Sequence, residues 1–261
     1  MMPILGLGTW QATGDEVKKA VIRAIELGYR AIDTAWIYQN QTEVGEALKE
    51  VTVPREELFI TSKLWNDHHR YDDVIANCKE TLKQLQLDYL DLFLIHWPIE
   101  DVAIEETMRA MKTLVDEGLV KSVGVSNFSI KNLRDALAVS DVKISMNQVE
   151  FHPGLFQKDL LEFSNKSNIA TTAYCPIARG KNLDDPSLQS IAQKHSKTPA
   201  QVSLRWLIQH GIFVIPKSVS EDHIRENMAI FDFELDEEDM EKINNMPEEE
   251  RYVNPGFMTW D

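Results

Sequence analysis

Eight short apolar runs, separated by segments of helical periodicity, constrain this 261-residue chain more than any other feature it has. They cover residues 5–7, 31–35, 58–64, 90–95, 120–125, 144–149, 169–174 and 212–215. The runs are continuous rather than alternating, which suits parallel strands that are covered on both faces. Between the first two, Val17, Ala20, Val21, Ala24 and Leu27 mark one face of a helix that Gly28 ends and for which Asp15 is the cap candidate. The last interval holds two helices, 187–195 and 199–210, with Pro199 suited to a first helical turn. Eight such strand and helix units predict an α/β chain of the (β/α)8 TIM-barrel class. It is read as one domain over 1–261, with its active site at the C-terminal ends of the strands.

An open, doubly wound sheet is the main rival. Gly6-Leu7-Gly8 follows the first run, but the third glycine of a dinucleotide fingerprint is missing, and Trp10 and Gln11 stand nearby instead. There is no Gly-Lys-Ser/Thr phosphate loop, no His-Glu-x-x-His and no Cys-x-x-Cys, and the adjacent His68 and His69 read as a surface pair, so no metal is expected. With 27 basic against 42 acidic side chains the net charge is -15, which repels a nucleic-acid backbone. The acidic stretch 232–250 reads as a solvated, partly helical tail, because Leu235, Met240, Ile243 and Met246 recur within it. No apolar run is long enough for a bilayer and no secretory signal opens the chain, so a cytoplasmic protein with Cys78 and Cys175 reduced is expected, a monomer or a weak homo-oligomer.

In such a barrel the residues that end each strand carry the chemistry. Those residues are Asp33 with Tyr38 beyond it, Lys63, His96, Ser126-Asn127, Gln148, Tyr174 and Lys217-Ser218. Singly, each has a plain reading as a turn former, a solvated charge or a packing ring. Together they bring an acid, an amine, a phenol and an imidazole to three consecutive strand ends.

Gly6-Leu7-Gly8-Thr9-Trp10, Asp33-Thr34-Ala35 with Tyr38, Ser62-Lys63-Leu64-Trp65 and Leu94-Ile95-His96-Trp97-Pro98 resemble motifs of the aldo-keto reductases. Gly124 to Phe128, Asn147 to Glu150, Ala173-Tyr174 with Pro176, and Ile215 to Ser218 match in order along essentially the whole chain. The resemblance implies reduction of a small carbonyl compound by a nicotinamide hydride. Tyr38 would be the proton donor, Lys63 its charged neighbour, Asp33 the partner of Lys63, and His96 a ligand of the carbonyl oxygen. It assigns Ser126, Asn127 and Gln148 to the carboxamide, Tyr174 with Pro176 to the ring face, and Lys217 and Ser218 to the 2′-phosphate of NADP(H). Arg179 or Lys181 is a candidate for the pyrophosphate.

His223 and Asn227 are the further cofactor-binding candidates that the resemblance implies; His223 stands where many relatives carry arginine and Arg225 falls two residues later, so NADPH is expected to be preferred with measurable use of NAD(H). Trp10, Trp36, Ile37, Trp65 and Trp97 are expected to line the substrate pocket. A short link after Pro98 and a brief tail after Met246 suggest an open, permissive site. Compact length and the ending Thr259-Trp260-Asp261 are most similar to the bacterial 2,5-diketo-D-gluconate and methylglyoxal reductase branch. Its substrates would be 2-oxoaldehydes, diketogluconate-type sugar acids and β-keto esters. The alternatives are an NADP(H)-binding sensor similar to potassium-channel β subunits, and a physiological alcohol or sugar dehydrogenase.

Overall fold

The computed structural model describes residues 2–248, 251–258 and 260, so Thr259 and Asp261 of the branch resemblance, and Glu249 and Glu250 of the acidic stretch, lie outside the described residues. In chain order the elements are β1 Leu7–Gly8, α1 Gly14–Glu26, β2 Ala31–Asp33, α2 Gln41–Glu50, β3 Phe59–Leu64, α3 Tyr71–Leu85, β4 Leu92–Ile95, α4 Ile104–Asp116 and β5 Val123–Ser126. There follow α5 Ile130–Val139, β6 Ile144–Glu150, α6 Lys158–Lys166, β7 Ala170–Tyr174, α7 Pro186–His195, α8 Pro199–Gln209, β8 Phe213–Val214, α9 Glu221–Met228 and α10 Glu237–Asn244. The strands pair in parallel in sequential order, β1 to β8. Parallel bridges from Leu5 to Val214 and from Gly8 to Lys217 close the ring. At that seam Gly6 N donates to Val214 O at 2.9 Å and Gly8 N to Pro216 O at 3.1 Å. A Cβ on Gly8 would lie 2.8 Å from Ile215 O, so the seam needs glycine there.

Strand parity explains both the continuous apolar runs and the position of the site. Successive side chains of a strand point to opposite faces. On β4, Phe93 and Ile95 join the large core between sheet and helices, while Leu92 and Leu94 join a second cluster with Met146, Phe59, Ala170, Phe213 and Met2, which contains no helix residue and fills the barrel interior. Both faces are therefore apolar low in the barrel. Moving up in steps of two from the interior positions leads from Phe59 to Lys63, from Leu94 to His96, from Met146 to Gln148 and Glu150, and from Ala170 to Tyr174.

Three expectations from the sequence are corrected. Asp15 does not cap α1: the helix starts at Gly14 with Thr13 at its N-cap and no side-chain cap bond, so Asp15 sits inside the first turn, where its charge meets the positive end of the helix. His68 and His69 are not a surface pair: His68 is half-buried and meets the Trp36 ring edge-on at 4.8 Å, while His69 is buried, with Thr107 Oγ1 donating to its carbonyl at 2.8 Å. The acidic stretch is not merely solvated, because Asp239 of α10 is buried against Lys194 at 2.9 Å and His195 at 2.7 Å on α7. The two late helices match their expected positions. A Thr198–Gln201 capping box starts α8, with Gln201 N donating to Thr198 Oγ1 at 3.3 Å and Thr198 N to Gln201 Oε1 at 2.9 Å. Both cysteines are free. Among the described residues no helix is long and apolar enough to cross a membrane.

Candidate active site

At the C-terminal mouth of the barrel lies a cavity of about 700 Å³. Parity brings Asp33, at the end of β2, and Lys63, near the end of β3, to its floor. Lys63 is fully buried, and its ammonium donates to Asp33 Oδ1 at 2.5 Å, Thr34 O at 2.9 Å and the Tyr38 hydroxyl at 3.4 Å. Those three bonds use all three of its protons. Asp33 Oδ2 accepts from Gln148 Nε2 at 2.7 Å, so both carboxylate oxygens are occupied.

Tyr38 comes from a single 3-10 turn, Trp36–Tyr38. Burial pushes its phenol above the usual tyrosine value, and the nearby Lys63 ammonium only partly offsets this. Burial also works against the Lys63 ammonium, but Asp33 and Tyr38 outweigh it and hold its pKa above the ordinary lysine value. His96 follows β4, its ring 5.9 Å from that of Tyr38 and 5.2 Å from that of Trp65, both edge-on. Burial first, and the Lys63 charge second, keep the imidazole well below its usual pKa, so it is neutral at physiological pH.

The next strands form the far wall. Asn127 adopts the left-handed conformation, φ 62°, directly after β5. Its amide nitrogen donates to His96 O at 2.9 Å and Ser126 Oγ at 3.0 Å, and its oxygen accepts from the Tyr174 hydroxyl at 2.7 Å. Asn127 thus has no free N–H and orients Tyr174. Ser126 Oγ is spent on Gln148 O at 2.7 Å. Ser218 and Ser220 bond each other ahead of α9, and Asn227 is buried on that helix, so neither Ser126, Ser218 nor Asn227 lines the cavity. Asn127, Gln148, Tyr174, Pro176, Lys217 and His223 do. The Lys217 side chain is exposed on this wall, its ammonium without an ion-pair or hydrogen-bond partner among the described residues. Arg225 faces elsewhere, bonded to Glu221 at 2.7 Å. Arg179 lies over the Trp10 ring at 4.7 Å and lines the cavity, whereas Lys181 lies over Tyr252 at 4.6 Å.

The substrate side differs from the sequence reading in two ways. Trp10, Ile37, Trp65 and Trp97 line the cavity, but Trp36 does not: in a tight turn neighbouring side chains diverge by about 120°, and Trp36 meets His68 edge-on at 4.8 Å. Nor is the mouth left open by a brief tail. Val253, Pro255 and Phe257 line it, and Phe257 and Trp260 pack edge-on against Trp97 at 5.6 and 6.1 Å. A tail without periodicity gave the sequence no signal for this wall.

The Aldo/keto reductase family model matches residues 4–248. Glyoxal reductase of Bacillus subtilis (strain 168) is 47% identical over 251 residues, covering 96% of this chain and 91% of that protein. Aldo-keto reductase family 1 member A1-A of Danio rerio is 42% identical over 97% of this chain and 89% of its own length, in an alignment of 288 positions that exceeds this chain and so includes insertions it lacks. A crystal structure with the provisional designation 2,5-diketo-D-gluconic acid reductase B superposes with a TM-score of 0.97 at 40% identity, covering 100% of this chain and 94% of that one.

Proposed function

Since this chain belongs to the aldo/keto reductase family and is an oxidoreductase of carbonyl compounds, we propose that it reduces small aldehydes and ketones with NADPH, using Tyr38 as proton donor. The observation that carries this reading is the saturation of Lys63. With its three protons placed on Asp33, Thr34 and Tyr38, the phenol oxygen accepts from the ammonium and its own proton is free for the cavity. Burial keeps that proton on at neutral pH, which suits an acid in the reducing direction. The Lys63 charge then stabilises the phenolate left behind, and Asp33 holds Lys63 in place. Neutral His96 donates to the carbonyl oxygen as negative charge develops.

The wall fits a nicotinamide dinucleotide. Gln148 retains an amide oxygen and a second N–H for a carboxamide, Tyr174 offers a ring face, and the unpartnered Lys217 ammonium suits a phosphate. When bound, the cofactor supplies the hydride. Lys217 with His223, and no free arginine between them, supports a preference for NADPH with some use of NADH.

The predominantly apolar walls and the similarity to glyoxal reductase support 2-oxoaldehydes such as methylglyoxal as substrates, with diketogluconate-type sugar acids and β-keto esters as further candidates. The test is loss of NADPH absorbance with methylglyoxal, a diketogluconate and a β-keto ester in turn. Turnover of at least one is expected, and none with any carbonyl would overturn the reading.

A further inference from the structure

Glu150 ends β6 on the interior face, two residues beyond Gln148, and is fully buried, yet the chemistry above makes no use of it. Its Oε1 accepts from Tyr252 N at 2.8 Å and its Oε2 from Val253 N at 3.0 Å, and Oε1 also faces His152 Nε2 at 3.2 Å. Burial works against the charge, but His152 and the two amides outweigh it and hold the carboxyl below its usual pKa. Alongside, Gln157 donates to Glu150 O at 2.6 Å and accepts from Arg251 at 2.5 Å.

The chain beyond α10 forms no helix or strand among the described residues; these bonds anchor it to the barrel at residues 251–253, and Phe257 and Trp260 pack on Trp97 further along. From the anchor it crosses the mouth and presents Val253, Pro255 and Phe257 to the cavity, with no charged group among them.

We infer that Glu150 is the latch of this C-terminal strap, a positioning residue that sets affinity for carbonyl substrates carrying a large apolar substituent without touching the reacting atoms. This rests on the reading that the carbonyl lies between Tyr38 and His96, which places the remainder of the substrate against the strap. A carboxylate accepts both amides at once, whereas the amide of Glu150→Gln accepts through one oxygen and turns a donor toward the other N–H.

The test compares 4-nitrobenzaldehyde with methylglyoxal on the full chain. Glu150→Gln is expected to raise KM for the aryl aldehyde about tenfold, a cost matching one charge-assisted hydrogen bond. KM for methylglyoxal, both kcat values and the NADPH Kd should stay within about twofold, the range left by near-neutral contacts. Glu150→Asp should recover part of the loss, and Phe257→Ala, which removes the wall and leaves the latch, should reproduce it. Should Glu150→Gln not fold, the milder Gln157→Ala must raise the same KM by about two- to threefold, as for a weaker neutral bond. Equal changes for both aldehydes, or parallel losses of kcat, NADPH affinity and melting temperature, would make Glu150 structural only and overturn the latch. Wild-type protein that turns over neither aldehyde counts against the reduction reading instead. The latch is then judged on binding of 4-nitrobenzaldehyde to the NADPH complex, where Glu150→Gln must weaken it.

Discussion

Replacing Lys63 by methionine separates what the buried pair does for stability from what it does for reaction. The ammonium is fully buried and the Asp33 side chain is 4% exposed. Without Lys63, Asp33 keeps only the Gln148 amide as a partner. Breaking a buried pair from one side leaves an uncompensated charge and costs about 3–5 kcal/mol. In a chain of this size that lowers the melting temperature by roughly 10 °C. With Tyr38 as the proposed proton donor, turnover should fall by about 10²- to 10⁴-fold, because the phenolate left behind would lose its neighbouring charge. In Asp33→Asn/Lys63→Met both charges are gone, so stability returns to within about 2 kcal/mol of the parent, while turnover stays low. Circular dichroism melts and NADPH consumption with methylglyoxal measure the two effects. A single variant melting within about 2 °C of the parent, less than 1 kcal/mol, would refute the reasoning, as would a double variant no more stable than the single one.

Other consequences concern pH and the cofactor. The His96 pKa lies well below 6.5 and the Tyr38 pKa above 10, so kcat/KM for reduction should show no inflection near 6.5 and should fall only in the strongly alkaline range as Tyr38 loses its proton. A histidine-like step near 6.5 that is lost in His96→Gln would contradict this assignment. Burial, with His68 adding to it, pushes the His69 pKa down to about 4. The unfolded chain therefore binds that proton more readily. Stability is full above about 6.5 and is lost as pH falls toward about 4, by at most about 3 kcal/mol. His69→Gln should flatten the melting temperature over that window, and an unchanged acid limb would remove His69 as its cause. Lys217→Ala should weaken NADPH about tenfold, as for a lost charge-assisted bond, and leave NADH nearly unchanged. His223→Arg should shift the preference further toward NADPH. Titration of protein fluorescence with each cofactor tests both, and equal effects on the two cofactors would detach this wall from the 2′-phosphate.

Much of this was legible in the sequence because parallel strands of a closed barrel are apolar on both faces and turn polar only at the mouth. Phe59 to Lys63, or Leu92 to His96, reads as core and then site within one element. The pairing of Lys63 with Asp33 was implied by the family resemblance and not by that pattern, and the seam at Gly8 emerges only from the closed sheet. What escaped depends on backbone groups or on side-chain direction within irregular segments. The strap is held through the amides of Tyr252 and Val253, whose bonds carry no residue signature. Trp36 and Ile37 are neighbours in one turn, and only the turn decides which of them faces the cavity. The resemblance assigns Gln148 to the carboxamide, and only the structure shows that one of its N–H groups also completes the shell of Asp33. For Tyr38, burial outweighs the neighbouring Lys63 charge, and a sequence shows the charge but not the burial.

Proton delivery by Tyr38 in an NADPH-dependent carbonyl reduction is the step on which the proposed function rests. The most direct measurement is single-turnover oxidation of bound NADPH by methylglyoxal in the parent chain and in Tyr38→Phe, with NADPH affinity measured on the same samples. With Tyr38 as the proton donor, affinity should be unchanged and the rate lower by about 10²- to 10⁴-fold, the contribution of a positioned general acid. An undiminished rate in Tyr38→Phe would contradict it.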